Sequence, residues 1–278
     1  MGRVRAGVVL LLLGAFLLGL AAAGRWTAMG RYESCPPRPW ERFHPGLAAS
    51  TPDLSSLYAA AHSRSGRPLR EMAPADAMRV LYGTVADRFT HGDRATYSPY
   101  GNWVLWAIGA AVPRYRDIQD PDVLLRGGHS ALCGDVSYVL MRLAGMAGIP
   151  ARHVLLEGHI VMEARYDDGW HAYDPDLEVA PLDETGAVAS VETLAGRPEL
   201  VRRSYAGRGD PAFVETVAAI YASTGNNTCL TYPAQHIVGS PGQRPGRVEQ
   251  ATQYAIYIVP AILLVAGAAL AGIRKAYR

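Results

Sequence analysis

Two apolar runs at the ends of the chain limit what can lie between them. The first, Ala6 to Ala23, follows Arg3 and Arg5 and carries no charge. Its length of about 18 residues falls in the range that spans a bilayer. Ala21-Ala22-Ala23 also reads as a small-residue cleavage site, so residues 1–25 are either a signal peptide or an N-terminal transmembrane anchor. The second run, residues 254–273, is also uncharged and ends at Arg274, Lys275 and Arg278. A basic stop of this kind marks a cytoplasmic tail, here residues 274–278, and Arg3 and Arg5 put the N-terminus on the same side. Both assignments place the main domain outside the cytoplasm, in the periplasm or at the cell surface. A membrane, and with it a membrane-protein partner, is the implied setting.

These two runs account for much of the 49% hydrophobic content. Formal net charge over 278 residues is +2, and no basic run interleaves with aromatics, which argues against nucleic acid as a partner. In an oxidising compartment three cysteines become informative. Cys35 and Cys229 are a candidate disulfide joining the two ends of the exported domain, which leaves Cys133 as the odd thiol. Three unpaired thiols is the other reading.

Residues 26–52 hold Pro36, Pro37, Pro39 and Pro45 and read as a linker or strap rather than a regular element. Residues 53–238 form the exported domain, and residues 239–253 a Pro- and Gly-containing linker. Within the domain, Asp53 caps a short helix to His62. Pro74 to Thr90 reads as a longer helix with Met78, Leu81, Tyr82, Val85 and Phe89 along one stripe. Asn102 to Val112 is a further helix, whose Trp103 and Trp106 are assigned to core packing. Asp117 to His129 reads as a loop. A helix opens at Cys133, with Val136, Val139, Leu140, Leu143 and Ala147 on one face, and Gly148-Ile149-Pro150 ends it. Arg152–Leu156, Ile160–Tyr166 and Trp170–Tyr173 read as strands, the last two joined by a tight turn at Asp167-Asp168-Gly169.

The chemistry concentrates in residues 127–175. A cysteine acts as its thiolate, and the first turn of a helix favours negative charge at Cys133. An imidazole beside it, from His159, can hold the thiol proton and later protonate a leaving group. Asp174 is the carboxylate that would fix the ring's tautomer. Placing Asp168-Gly169 at the centre of the turn sets Asp174 opposite Glu163, four positions from His159. His129 is a candidate for an oxyanion or substrate contact, and His153 and His171 read as structural or exposed. Glu163 and Arg152 are assigned to packing and polar satisfaction. No metal and no cofactor is expected, since no CxxC or HxxxH spacing supports a site built from Cys133, His129 and His159.

The run Cys133-Gly134-Asp135, Leu140 to Ala144 and Gly148-Ile149-Pro150-Ala151-Arg152 resembles the cysteine-helix segment of the transglutaminase-like superfamily. Gly158-His159-Ile160-Val161-Met162-Glu163 resembles its histidine strand, although the family often has an aromatic where this chain has Ile160. Asp168-Gly169-Trp170 through Asp174-Pro175 resembles its aspartate strand. The resemblance covers about a fifth of the chain. It implies an α+β fold with a papain-like core, a cysteine-bearing helix packed on an antiparallel sheet. It also implies Cys133 as nucleophile, His159 as general base and acid, and Asp174 as orienting carboxylate. The function to expect is then a membrane-anchored thiol enzyme that hydrolyses or transfers an amide or acyl group of a peptide or protein, the cell envelope being a natural source. The alternative is a non-catalytic transglutaminase-like binding or scaffolding module of an envelope assembly.

Overall fold

The computed structural model describes residues 2–24, 30–32, 35–92, 95–223, 228–231 and 245–272. In chain order the helices are α1 (Gly2–Ala23), α2 (Pro45–Ser50), α3 (Leu54–Ser65), α4 (Pro74–Ala86), α5 (Pro99–Ala111), α6 (Pro121–Gly127), α7 (Cys133–Met146), α8 (Val191–Gly196), α9 (Pro198–Tyr205), α10 (Pro211–Ala222) and α11 (Pro245–Gly272). The strands are β1 (Gly30–Arg31), β2 (Thr90–His91), β3 (Thr96–Tyr97), β4 (Ser130–Ala131), β5 (Ala151–Leu156), β6 (His159–Tyr166), β7 (Gly169–Tyr173) and β8 (Thr228–Thr231). The chain is α+β and divides into two compact units.

One unit comprises Met1–Arg31, Ala95–Asp120 and Pro245–Arg278. Two of its helical stretches, Gly2–Ala23 and Ala251–Gly272, are long and apolar enough to cross a membrane. They run antiparallel, because Gly7 faces Gly267 while Gly14 faces Pro260 and Leu264. A Cβ on Gly7 would come within 2.8 Å of the Gly267 carbonyl oxygen, so the backbones meet where no side chain fits. Gly7, Gly14 and Ala21 are the buried residues of α1, at heptad spacing, as close helix packing in lipid favours. Val9, Leu12 and Phe16 on α1 and Tyr254, Ile262 and Val265 on α11 face outward. Residues 274–278, the expected tail, and residues 239–244 of the expected linker lie outside the described residues.

Pro260 sits inside α11 and cannot donate a backbone hydrogen bond to the carbonyl of Ile256, one turn earlier. Trp103 of α5 supplies the missing donor: its indole Nε1–H reaches Ile256 O at 3.3 Å. Asn102 kinks α5 with non-helical backbone (φ −151°, ψ 88°) and donates to Thr252 Oγ1 at 2.9 Å. Trp103 is therefore a hydrogen-bonding as well as a packing residue. Trp106, expected in the core, is instead 47% exposed. Glu249, before the apolar part of α11, is buried and accepts from the Tyr97 hydroxyl and from Gln119 N–H (3.1 Å). Burial pushes its carboxyl up to about 7.

The other unit comprises Tyr32–Arg94 and Pro121–Arg244. Its main sheet has strand order β7-β6-β5-β8, antiparallel throughout. Residues Val154, Leu156, Val161 and Ala172 pack with Leu194, Leu200, Tyr205, Val217 and Tyr221 of α8–α10. The alternating residues Met162 and Ala164 are equally buried, and α7 packs on β5 and β6. Apolar burial on both sides makes this sheet the centre of the unit.

Several boundaries depart from expectation. The α4 helix stops at Ala86, because Thr90 and His91 pair in parallel with Ser130 and Ala131 instead of continuing the turn. The stretch from Asp117 to His129 is not a loop throughout: α6 occupies Pro121–Gly127 and buries Val123, Leu124 and Leu125. The Pro-rich strap becomes helical at α2, capped by His44 Nδ1 accepting from Leu47 N–H at 3.2 Å.

Candidate active site

The α7 helix begins at Cys133 and buries Val136, Val139, Leu140 and Leu143 against the sheet and α4. Gly148, at φ +82°, closes its far end: Ile149 N–H bonds Ala144 O (2.9 Å) and Gly148 N–H bonds Gly145 O (3.0 Å). With both ends defined, the thiol is held at the first helical position.

The approach to Cys133 depends on Arg88, which is 1% exposed. Its guanidinium donates to Thr51 Oγ1 (3.0 Å), Gly128 O (2.9 Å) and Leu125 O (2.8 Å), tying off the end of α6. Burial lowers its pKa to about 10. Thr90 N–H then bonds His129 O (2.8 Å), and Gly92 N–H bonds Ala131 O (3.0 Å), which anchors the β4 segment that leads into the helix.

His159 opens β6, and Asp174 follows β7. The turn between these strands uses Asp167 and Asp168, both at positive φ (46° and 59°), as its central pair. Asx residues tolerate this left-handed conformation, and the resulting turn suits a two-residue hairpin. Tyr166 therefore pairs with Gly169, and Met162 with Tyr173. Continued by one residue, this register puts Asp174 across from Val161, two positions from His159 on the same face. The expected four-position offset is halved, and a diagonal neighbour of this kind is within side-chain reach.

His159 Nε2 lies 2.7 Å from Asp174 Oδ2. The carboxylate is fully buried and accepts two further bonds, from Tyr205 Oη–H to Oδ2 (2.9 Å) and from Leu177 N–H to Oδ1 (3.1 Å). Tyr205 and Tyr221 hydroxyls are 2.8 Å apart, and burial raises the pKa of both well above the ordinary value. They are neutral hydrogen-bonding groups at any physiological pH. Burial by itself would lower the pKa of His159. The Asp174 charge and hydrogen bond, together with the Cys133 thiol, outweigh it and hold the imidazole well above 6.5.

A ring nitrogen of His159, Cys133 Sγ and a carboxylate oxygen of Asp176 all lie within 4.8 Å of one another. With Nε2 committed to Asp174, Nδ1 is the ring nitrogen available to the thiol. Asp176 is buried, and its Oδ1 lies 2.8 Å from His91 Nδ1. The turn carrying it ends at Glu178, a non-glycine residue at φ +51°. Arg42 holds that strained residue through its N–H to Oε1 (2.8 Å) and its Nε to Oε2 (3.0 Å), and Arg208 bonds its carbonyl (2.7 Å).

The structure thus brings together Cys133, His159 and Asp174. The ring of His129 stacks on Phe43 (centroids 5.0 Å apart), and desolvation, then the Arg88 charge, lowers its pKa. Glu163 is buried with Arg152 Nε at 2.7 Å and Val191 N–H at 2.8 Å, as its structural assignment requires. His153 is buried beside Tyr138, and His171 stacks on Tyr166. Cys35 carries a free thiol. The Cys229 side chain lies outside the described residues, although its backbone pairs with Val154. Sequence reasoning missed Asp176, His91, Tyr205 and Tyr221. Asp176 had a signal, a second acid one residue past Pro175. The two tyrosines had none, since they reach the site from α9 and α10.

No protein-family model matches this chain, and no curated protein does. Among solved structures, a chain described as "Crystal structure of a TGase" is 21% identical, with a TM-score of 0.29. The similarity covers 44% of this chain and 30% of that one, so this chain spans under a third of that structure's length. The likeness to a transglutaminase-type structure is weak and does not by itself place the chain in a family.

Proposed function

We propose that the chain is a membrane-anchored extracytoplasmic thiol enzyme with a papain-like, transglutaminase-like core, acting on an amide or acyl bond of a peptide or protein of the cell envelope. The observation that carries this reading is the continuous contact from Cys133 through His159 to a buried, triply hydrogen-bonded Asp174.

In this reading the thiol proton rests on His159, and Sγ attacks the carbonyl carbon. The tetrahedral adduct collapses as His159 returns that proton to the leaving amine, the C–N bond breaks, and a thioester remains on Cys133. His159 then takes a proton from water or from an acceptor amine as that nucleophile attacks, and the proton passes back to the departing sulfur. Water completes hydrolysis, and an amine completes transfer. Asp174 holds the ring with Nε2 protonated toward itself, so that Nδ1 serves the sulfur.

The test is alkylation of the purified full chain in detergent by a thiol-directed electrophile at neutral pH, read peptide by peptide because Cys35 is also a free thiol. Cys133 is expected to label fastest, and His159→Ala to slow it about tenfold or more. If Cys133 labels no faster than Cys35, and His159→Ala does not slow it, the activated-thiol reading is wrong.

A further inference from the structure

The chemistry just described leaves Asp176 without a role. Its carboxylate is 6% exposed and turned toward the Cys133–His159 pair, with oxygen, sulfur and ring nitrogen mutually within 4.8 Å. Neither the attack nor the proton transfers described above use it. A carboxylate, a thiol and an imidazole this close together are a donor set for a dication.

The donor set is a thiolate, an imidazole and a carboxylate, which together suit zinc. Each of the two non-sulfur donors also has the outer support that metal ligands characteristically have. His159 is held through Nε2 by Asp174 at 2.7 Å, which leaves its other nitrogen free to bind. Asp176 is held through Oδ1 by His91 at 2.8 Å. Zinc bonds of about 2.0–2.3 Å bring tetrahedral ligand atoms roughly 3.3–3.8 Å apart. Separations up to 4.8 Å therefore close with about one ångström of side-chain movement, and half-buried Cys133 has room for it. The ligands lie far apart in sequence, on a helix start, a strand start and a turn, which is why no spacing motif announces them.

We propose that Cys133, His159 and Asp176 form a reversible zinc site, supported by Asp174 and His91, whose occupation silences the thiol. Binding exchanges the thiol proton for the metal: one S–Zn bond forms, one proton leaves to solvent, and no redox change occurs. The fourth position takes water. As regulation this rests on the thiol-enzyme reading; as binding it does not.

Cobalt(II) is the probe, titrated into the purified full chain in detergent with a phosphine reductant. The expected result is a thiolate-to-cobalt charge-transfer band with tetrahedral visible bands, at one cobalt per chain, displaced by zinc. Cys133→Ser removes the band, and Cys35→Ser leaves it. Asp176→Asn, nearly isosteric, weakens cobalt binding at least tenfold, and His91→Gln weakens it about tenfold. Zinc protects Cys133 from alkylation until a chelator is added. A wild-type chain without the band, a band that survives Cys133→Ser, or unchanged affinity in Asp176→Asn overturns the proposal. Cobalt binding without fast alkylation of Cys133 keeps the metal site and sinks the thiol-enzyme reading. Fast alkylation without cobalt binding does the reverse.

Discussion

Asp174 accepts from His159, Tyr205 and Leu177, and these three bonds leave its carboxylate one orientation. Replacing it with Asn tests the arrangement. Leu177 N–H demands an oxygen at the Oδ1 position, so the amide nitrogen falls where Oδ2 stood and faces the Tyr205 hydroxyl and His159 Nε2. A donor there favours the neutral imidazole with its proton on Nδ1, the wrong tautomer for accepting the thiol proton. The lost charge acts in the same direction: His159 is held above 6.5 against its own desolvation by Asp174, so its pKa falls in the variant. Two outcomes follow for Asp174→Asn: the His159 inflection in a ring-labelled NMR titration moves to lower pH, and neutral-pH alkylation of Cys133 slows by about tenfold or more. The sign carries over to stability. A raised folded-state pKa contributes stability that is complete below about 6.5 and is lost as pH rises through the higher folded value. The variant lacks that pH dependence. Cys133, His159 and Asp174 were legible because each sits in a local motif. Tyr205, Asp176 and His91 act through distance, which local pattern does not encode.

Among the elements, α11 shows how a local rule can be broken and repaired. Pro260 removes a backbone donor in an apolar helix, where an unpaired carbonyl is costly. Trp103 repairs it from α5. Trp103→Phe keeps most of the packing but strands Ile256 O, which we expect to cost about 1–3 kcal/mol in detergent unfolding. Pro260→Ala restores an N–H to that carbonyl, so the same Trp103→Phe change in the Pro260→Ala background should cost about 1 kcal/mol less. Equal costs in both backgrounds would mean the indole contributes packing alone. Elsewhere, α7 and its Gly148 cap were readable to the residue, since periodicity and a positive-φ glycine coincide. The α6 helix was overlooked despite Pro121 at its start and Asp122 in its first turn, both helix-start signals. The hairpin register slipped because Asp-Gly is the stronger turn signal by sequence, whereas the chain places two aspartates at positive φ. The slip was of even parity, so every side chain kept its face.

At the scale of the whole chain, the two apolar helices make a localisation prediction that stands apart from the chemistry. If both cross the membrane, a membrane-impermeant thiol reagent applied to intact cells should reach Cys133 or Cys35, while a cysteine placed at residue 276 should label only after permeabilisation. Labelling in the opposite order would reverse the topology, and equal labelling of both without permeabilisation would sink it. The terminal runs were recognisable as helices of spanning length from hydropathy alone, because in an apolar solvent a helix must satisfy its own backbone. That Ala95–Asp120 belongs with them, through Trp103 and Asn102, depends on contacts between residues more than a hundred positions apart. The same division holds at the site. Composition and local pattern determined the apolar ends, the cysteine helix and the choice of Cys133, His159 and Asp174 as candidates, since those rest on periodicity, caps and side-chain chemistry within a few residues. Only the tertiary structure decided that Asp174 reaches His159 across a shifted register, that Tyr205, itself bonded to Tyr221, holds it from a later helix, and that Asp176 lies beside the thiol. Each of those depends on which backbone approaches which, and such approaches are settled by packing of the whole sheet and its covering helices rather than by any one stretch of chain.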